Sequence, residues 1–256
     1  MLRGPTVQLS ALVVMAGGML AAVSVAATGA VTGAVAGTQA QAATTRCHGY
    51  VATIVGNDRA NVIRGTNHRD VIVARGGADV IRARGGGDIV CGGGRGDVVR
   101  GGPGRDIIEG NGGSDVLKGQ QAKDRLWGGV GDDRLAGGIR TDWAFGGSGM
   151  DRIGGGRSGD YLIGGHRKDI LRGAKGNDII RGKGGNDRGY GSKGNDRLLG
   201  GDGNDRLVGH GGGDRIAGGD GDDHLDGRDG QPNDILIGGA GIDVCLTDPG
   251  DANPDR

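Results

Sequence analysis

Large aliphatic side chains recur along this chain at one fixed step. Every ninth position carries one: Ile63, Ile72, Ile81, Val90, Val99, Ile108, Leu117, Leu126, Leu135, Ile153, Leu162, Leu171, Ile180, Leu198, Leu207, Ile216 and Leu225, with Ala144 and Gly189 as small members of the same column. Two positions ahead of each aliphatic residue stands an Asp. The series runs Asp70, Asp79, Asp88, Asp97, Asp106, Asp115, Asp124, Asp133, Asp142, Asp151, Asp160, Asp169, Asp178, Asp187, Asp196, Asp205, Asp214 and Asp223 without a miss, and Asn61 fills the slot before it. From Gly173 to Leu225 the unit reads G-G-x-G-(N/D)-D-x-U-x, where U is the aliphatic position. A short, strict period is the mark of a solenoid, in which each unit packs on its neighbours. The glycine-rich part reads as a turn and the last three residues as a strand, so one unit makes half a coil. Two units then close a flattened coil of 18 residues, stacked on the next at the strand spacing of ~4.8 Å. The expected fold is all-β, a parallel β-roll with one aliphatic side chain per unit turned inward.

The phase slips once. Gly227 to Asn233 insert two residues, a surface loop by this reading, and the Asp returns at Asp234 and Asp243, with Cys245 at an aliphatic position and therefore expected in the core. Residues 61–245 thus form the repeat, 43–60 an N-terminal β cap and 246–256 a polar tail expected to fray. Cys47 to Val55 is β-prone and lacks the glycines of the repeat, as suits a segment covering the first edge of the stack. Residues 1–42 hold one early cation, Arg3, then an uncharged apolar run and Ala40-Gln41-Ala42, which reads as a secretory signal cut after Ala42. The run is also long enough for an uncleaved anchor. Cleavage, favoured by the small residues, would leave a mature chain outside the cytoplasm and without a membrane span.

Composition narrows the picture. With 63 glycines in 256 residues and 2% aromatic residues, there is too little bulky apolar material for a conventional core. Five prolines and a period of nine rule out a collagen helix. Formal net charge is zero, which argues against a nucleic-acid partner. Three cysteines cannot all pair within one chain; Cys47 and Cys91 are candidates for a bridge. The histidines share no metal spacing, and no HExxH, GxSxG or P-loop string occurs. The expected class is a non-enzymatic structural or interaction module, with an adhesin or a toxin- or enzyme-associated repeat as the alternative.

The chemistry sits in the turns. Ca²⁺ takes six to eight oxygens from carboxylates and backbone carbonyls, and glycine turns expose carbonyls while the Asp adds charge. The nonapeptide closely resembles the hemolysin-type calcium-binding repeat of the repeats-in-toxin family. That resemblance implies a calcium-loaded parallel β-roll, several Ca²⁺ ions, and the sixth-position Asp as ligand. Carried over residue by residue, the role falls on Asp70, Asp79, Asp88, Asp97, Asp106, Asp115, Asp133, Asp151, Asp160, Asp169, Asp178, Asp187, Asp196, Asp205, Asp214, Asp223, Asp234 and Asp243, supported at the fifth position by Asn177, Asn186, Asn195, Asn204 and Asp222. The units of Asp124 and Asp142 have lost turn glycines and are expected to be weak or empty. Burying about twenty aliphatic side chains cannot offset the entropy of ordering so glycine-rich a chain, so folding should depend on the ions.

Overall fold

The computed structural model describes residues 30–32 and 45–252, and every regular element among them is a strand. In chain order these are β1 (Ala30–Thr32), β2 (Arg46–Cys47), β3 (Tyr50–Val51), β4 (Ile54–Val55), β5 (Val62–Arg64), β6 (Val71–Val73) and β7 (Val80–Arg82). A regular series of six-residue strands follows from β8 (Ile89–Gly94) to β22 (Arg215–Asp220), one per repeat. It closes with β23 (His224–Asp226), β24 (Ile235–Ala240) and β25 (Val244–Leu246). Successive strands alternate between two parallel sheets. One holds β1 and the odd strands from β5 to β25, the other the even strands from β4 to β24. The parallel β-roll read from the period is therefore the fold.

Register follows the period without drift. Ile108 pairs with Val90 on one side and Leu126 on the other, each 18 residues away. Because side chains alternate across a strand, the aliphatic column faces the space between the sheets, and Ile63 to Leu236 form one continuous buried core. Gly189 leaves no void, since a Cβ there would lie 2.8 Å from Leu207 Cδ2. Cys245 joins the foot of this column next to Leu225, but only partly buried.

Three expectations need correction. Most strands span six residues rather than three, because positions 1 to 3 of the next unit continue the ladder: Asn111 pairs with Gly129 and Gly112 with Val130. The turn proper is thus positions 4 to 6. Position 2 takes positive φ, 114° at Gly129, a value that suits glycine and bends the strand toward the turn. Second, the cap does not guard an edge. β2 and β3 form an antiparallel hairpin whose Cys47 packs on Val71 and Ile89, on the outer side of the sheet, while β4 is already that sheet's first strand and β1 pairs with β5 on the other. The hairpin is tied down by the Cys47–Cys91 disulfide, with Cα atoms 5.9 Å apart. Third, the described part of the tail, to Ala252, is bonded to the roll rather than free of it. The Asp234 N–H donates to Asp251 Oδ1 at 3.1 Å and the Ala252 N–H to the Asp234 carbonyl at 2.9 Å, so the segment caps the last coil. Of the predicted signal sequence, residues 1–29 and 33–42 lie outside the described residues, and β1 falls within its span.

Candidate metal centre

At each corner of the roll the chain leaves one sheet and enters the other, and the Asp N–H at that corner has lost its ladder partner. A buried backbone donor must be satisfied somehow. Here the carboxylate of the Asp one coil further on does it. Asp106 N–H donates to Asp124 Oδ1 at 2.9 Å, Asp124 to Asp142 at 2.8 Å, Asp142 to Asp160 at 2.8 Å and Asp160 to Asp178 at 2.7 Å. The same bond recurs along both edges of the roll, in one column from Asp70 and another from Asp79. The Asp side chains, placed in the turns by the sequence, are interior: from Asp79 to Asp234 none exceeds 2% exposure.

Only one oxygen of each carboxylate is used this way. The second, Oδ2, is buried without a hydrogen-bond partner in every column member from Asp79 to Asp234. Burial disfavours the charged form, the backbone bond to Oδ1 partly offsets this, and stacked neighbours of like charge add to the rise. The result pushes Asp106, Asp160 and Asp169 up to about 8 and Asp115, Asp124, Asp178, Asp205 and Asp214 up to about 7.

Glycine at position 1 makes room for this oxygen. A Cβ on Gly110 would fall inside van der Waals contact of Asp115 Oδ2 and 2.6 Å from the carbonyl oxygen of Gly128 in the next coil. A carboxylate oxygen and a main-chain carbonyl therefore converge beside the same glycine. Among the described residues no three His, Cys, Asp or Glu side chains gather into a ligand cluster. An ion held here would be bound by paired carboxylates and backbone carbonyls, an all-oxygen set that suits Ca²⁺ and not a soft metal. The orphaned Oδ2 atoms fit such an ion, because a buried acceptor left without a partner costs about 1–3 kcal/mol, more when charged.

The expected ligands divide into groups. Asp97, Asp106, Asp115, Asp133, Asp151, Asp160, Asp169, Asp178, Asp187, Asp196, Asp205, Asp214, Asp223 and Asp234 share the geometry just described, while Asp79 and Asp88 have the same buried, unpartnered Oδ2 but Ala74 and Ala83 in place of the position-1 glycine. Asp70 does not share it: its Oδ2 accepts from the Thr66 N–H at 2.6 Å and the Thr66 hydroxyl at 3.0 Å. Asp243 is half-buried at the foot of its column, accepting from Asp223 N–H at 2.9 Å. Asp124 and Asp142, expected to be weak, stand in the column on the same terms as their neighbours, Oδ2 orphaned and side chains 1% and 0% exposed. The unbroken step of nine was the signal for them; lost turn glycines obscured it, yet these glycines lie outside the carboxylate's own cradle at Gly119 and Gly137. The fifth-position side chains are exposed and run a second ladder in the opposite sense. Asn177, Asn186, Asn195, Asn204 and Asp222 each give Oδ1 to a backbone N–H of the following coil, as in Asn195 N–H to Asn177 Oδ1 at 2.9 Å and Ile242 N–H to Asp222 Oδ1 at 2.8 Å. Asp251, unseen in the sequence because it is out of phase, ends one column by accepting from Asp234.

Comparison with known families agrees with this geometry. The family model of the RTX calcium-binding nonapeptide repeat, built on four copies, matches residues 55–90, 91–126, 109–139, 163–198, 199–232 and 208–245. No curated protein matches the chain. With matches over most of its length and the roll they describe in place, the chain belongs to the RTX calcium-binding nonapeptide repeat family.

Proposed function

We propose that this is a secreted, non-enzymatic calcium-binding module whose folding is driven by the ions it takes up. The observation that carries the reading is the pair of unbroken columns of buried carboxylates, each with one oxygen unsatisfied. Calcium, when bound, supplies positive charge and accepts many oxygens in flexible geometry. The chain does the rest. Oδ1 holds the corner N–H of the preceding coil, position-1 glycine keeps the space beside Oδ2 open, and the aliphatic column shields the pair from solvent. Two stacked Asp residues on one edge, such as Asp178 and Asp196, would serve one ion, and Asp187 and Asp205 on the other edge another. Without ions, burial of so many like charges opposes folding, so binding free energy becomes folding free energy. Secretion is supported by the signal-like N-terminus and by the disulfide, a bond that persists in oxidising compartments.

The test is a calcium titration of the exported protein by circular dichroism and calorimetry, with intact mass fixing its first residue. A coil-to-β transition with several ions bound per chain, in a form beginning near Ala43, is expected. Full β signal in chelator would overturn the calcium dependence, and retention of Met1 would overturn cleavage.

A further inference from the structure

Formal neutrality conceals a radial separation of charge. Among the described residues, nineteen of the acids, Asp70 to Asp223 at the step of nine together with Asp234, are buried, whereas no Lys or Arg is. Between residues 45 and 200 twenty-six Lys and Arg lie outside the core, and the acids outside the buried columns in that span are Asp58, Glu109 and Asp132. The cations are not spread evenly. On the edge that leads into the even strands, each coil places one exposed cation at or just before its corner, at positions 2 to 5 of the unit: Arg69, Arg84, Arg105, Lys123, Arg140, Arg157, Lys175 and Lys193. Eight successive coils contribute, and apart from the buried column those turns contain no acid. The opposite edge is interrupted, since turns 111–114 and 147–150 carry no cation and 129–132 and 219–222 carry Asp132, Asp220 and Asp222. Neither ion pair among the described residues, His48–Glu109 and Arg228–Asp226, involves a ridge residue.

We propose that this ridge docks a linear acidic polysaccharide, carrying a carboxylate or sulfate on each sugar, along the axis of the roll. Stacking at ~4.8 Å per coil supplies one long, flexible cation for about each sugar ring of an extended chain, although the cations stand at different positions across the edge. Arg105, Lys123, Arg125, Thr141 and Trp143 also line a groove on this edge, with the column residues Asp106 and Asp124 at its floor, so a hydroxyl and an indole stand beside the cations and the bound ion of the calcium reading would offset the two carboxylates. Nucleic acid fits less well. The rings near the groove pack against one another, Trp143 against Tyr161 at 4.8 Å and Trp127 on Phe145 at 5.9 Å, and so are not spaced to take successive bases between them, although Trp143 and Tyr161 are exposed. A duplex would curve away from a straight edge. The inference rests on the roll being folded, hence on the calcium reading, so binding is measured only where circular dichroism shows the β-roll formed.

The experiment is fluorescence anisotropy with size-defined heparin fragments at saturating calcium and physiological salt. Affinity should rise with fragment length until about eight sugars, the number of ridge coils. The triple variant Arg105→Ser, Lys123→Ser, Arg157→Ser should bind about tenfold more weakly or worse, while Arg134→Ser, Arg152→Ser, Arg188→Ser, which removes the same charge from the outer face of the other sheet, should change binding by less than about twofold. Equal losses in the two triples, affinity that does not depend on fragment length, or equally tight and equally ridge-dependent binding of duplex DNA would each overturn the proposal.

Discussion

Replacing one interior carboxylate by its amide, Asp169→Asn, separates what the column contributes with and without calcium. Asp169 is buried, its Oδ1 accepts the Asp151 N–H at 2.8 Å, and its Oδ2 has no partner. An Asn keeps the Oδ1 bond and removes the charge. Its Nδ2 would replace Oδ2 beside the Gly182 carbonyl oxygen, which converges on the same space at Gly164 and can accept from it. At pH 8 without calcium the variant should therefore be more stable by about 1–3 kcal/mol, the cost of an unsatisfied buried acceptor that it no longer carries. With calcium at a hundred times its dissociation constant the sign reverses, since a lost ion forfeits about 2.7 kcal/mol of linkage. Urea unfolding followed by circular dichroism reads both arms, the calcium-free one in chelator with sodium sulfate added to favour the compact state. A variant that is destabilised in both conditions, or in neither, would refute the assignment of Oδ2 as an ion's oxygen.

Two further outcomes follow from the same geometry. Gly128→Ala places a Cβ inside contact of Asp133 Oδ2 and 2.6 Å from the Gly146 carbonyl, so the calcium midpoint should rise and stability fall by about 1–3 kcal/mol; Gly154→Ala, which meets nothing within 4 Å, should change stability by less than about 0.5 kcal/mol. The pH dependence should invert with calcium. In chelator, carboxyls raised to about 6 to 8 in the folded state contribute stability that is present in acid and lost as pH rises through that range. β signal should accordingly increase on acidification from pH 8 toward 5 without calcium, and decrease with calcium as protons displace the ions; the same trend in both, measured by circular dichroism, would contradict the linkage.

How much was legible beforehand depended on whether a feature repeats within one unit. The step of nine in Ile108, Leu117 and Leu126 fixed which side chains line the core, because a side chain's face is set by its own place in a strand. It also made two-unit coils the natural closure, and family resemblance added calcium. The use of each oxygen depended on residues 18 apart. Whether Asp124 offers Oδ1 to Asp106, and whether Asn177 turns its own toward Asn195 in the opposite sense, depends on which neighbouring coil each corner leans toward. The cap and Asp251 lie outside the period, so tertiary packing alone placed them. Charge is the sharpest case. Composition gave neutrality, but a sum over residues carries no information about depth, and the coil that buries the Asp column is the same one that leaves the described Lys and Arg outside the core.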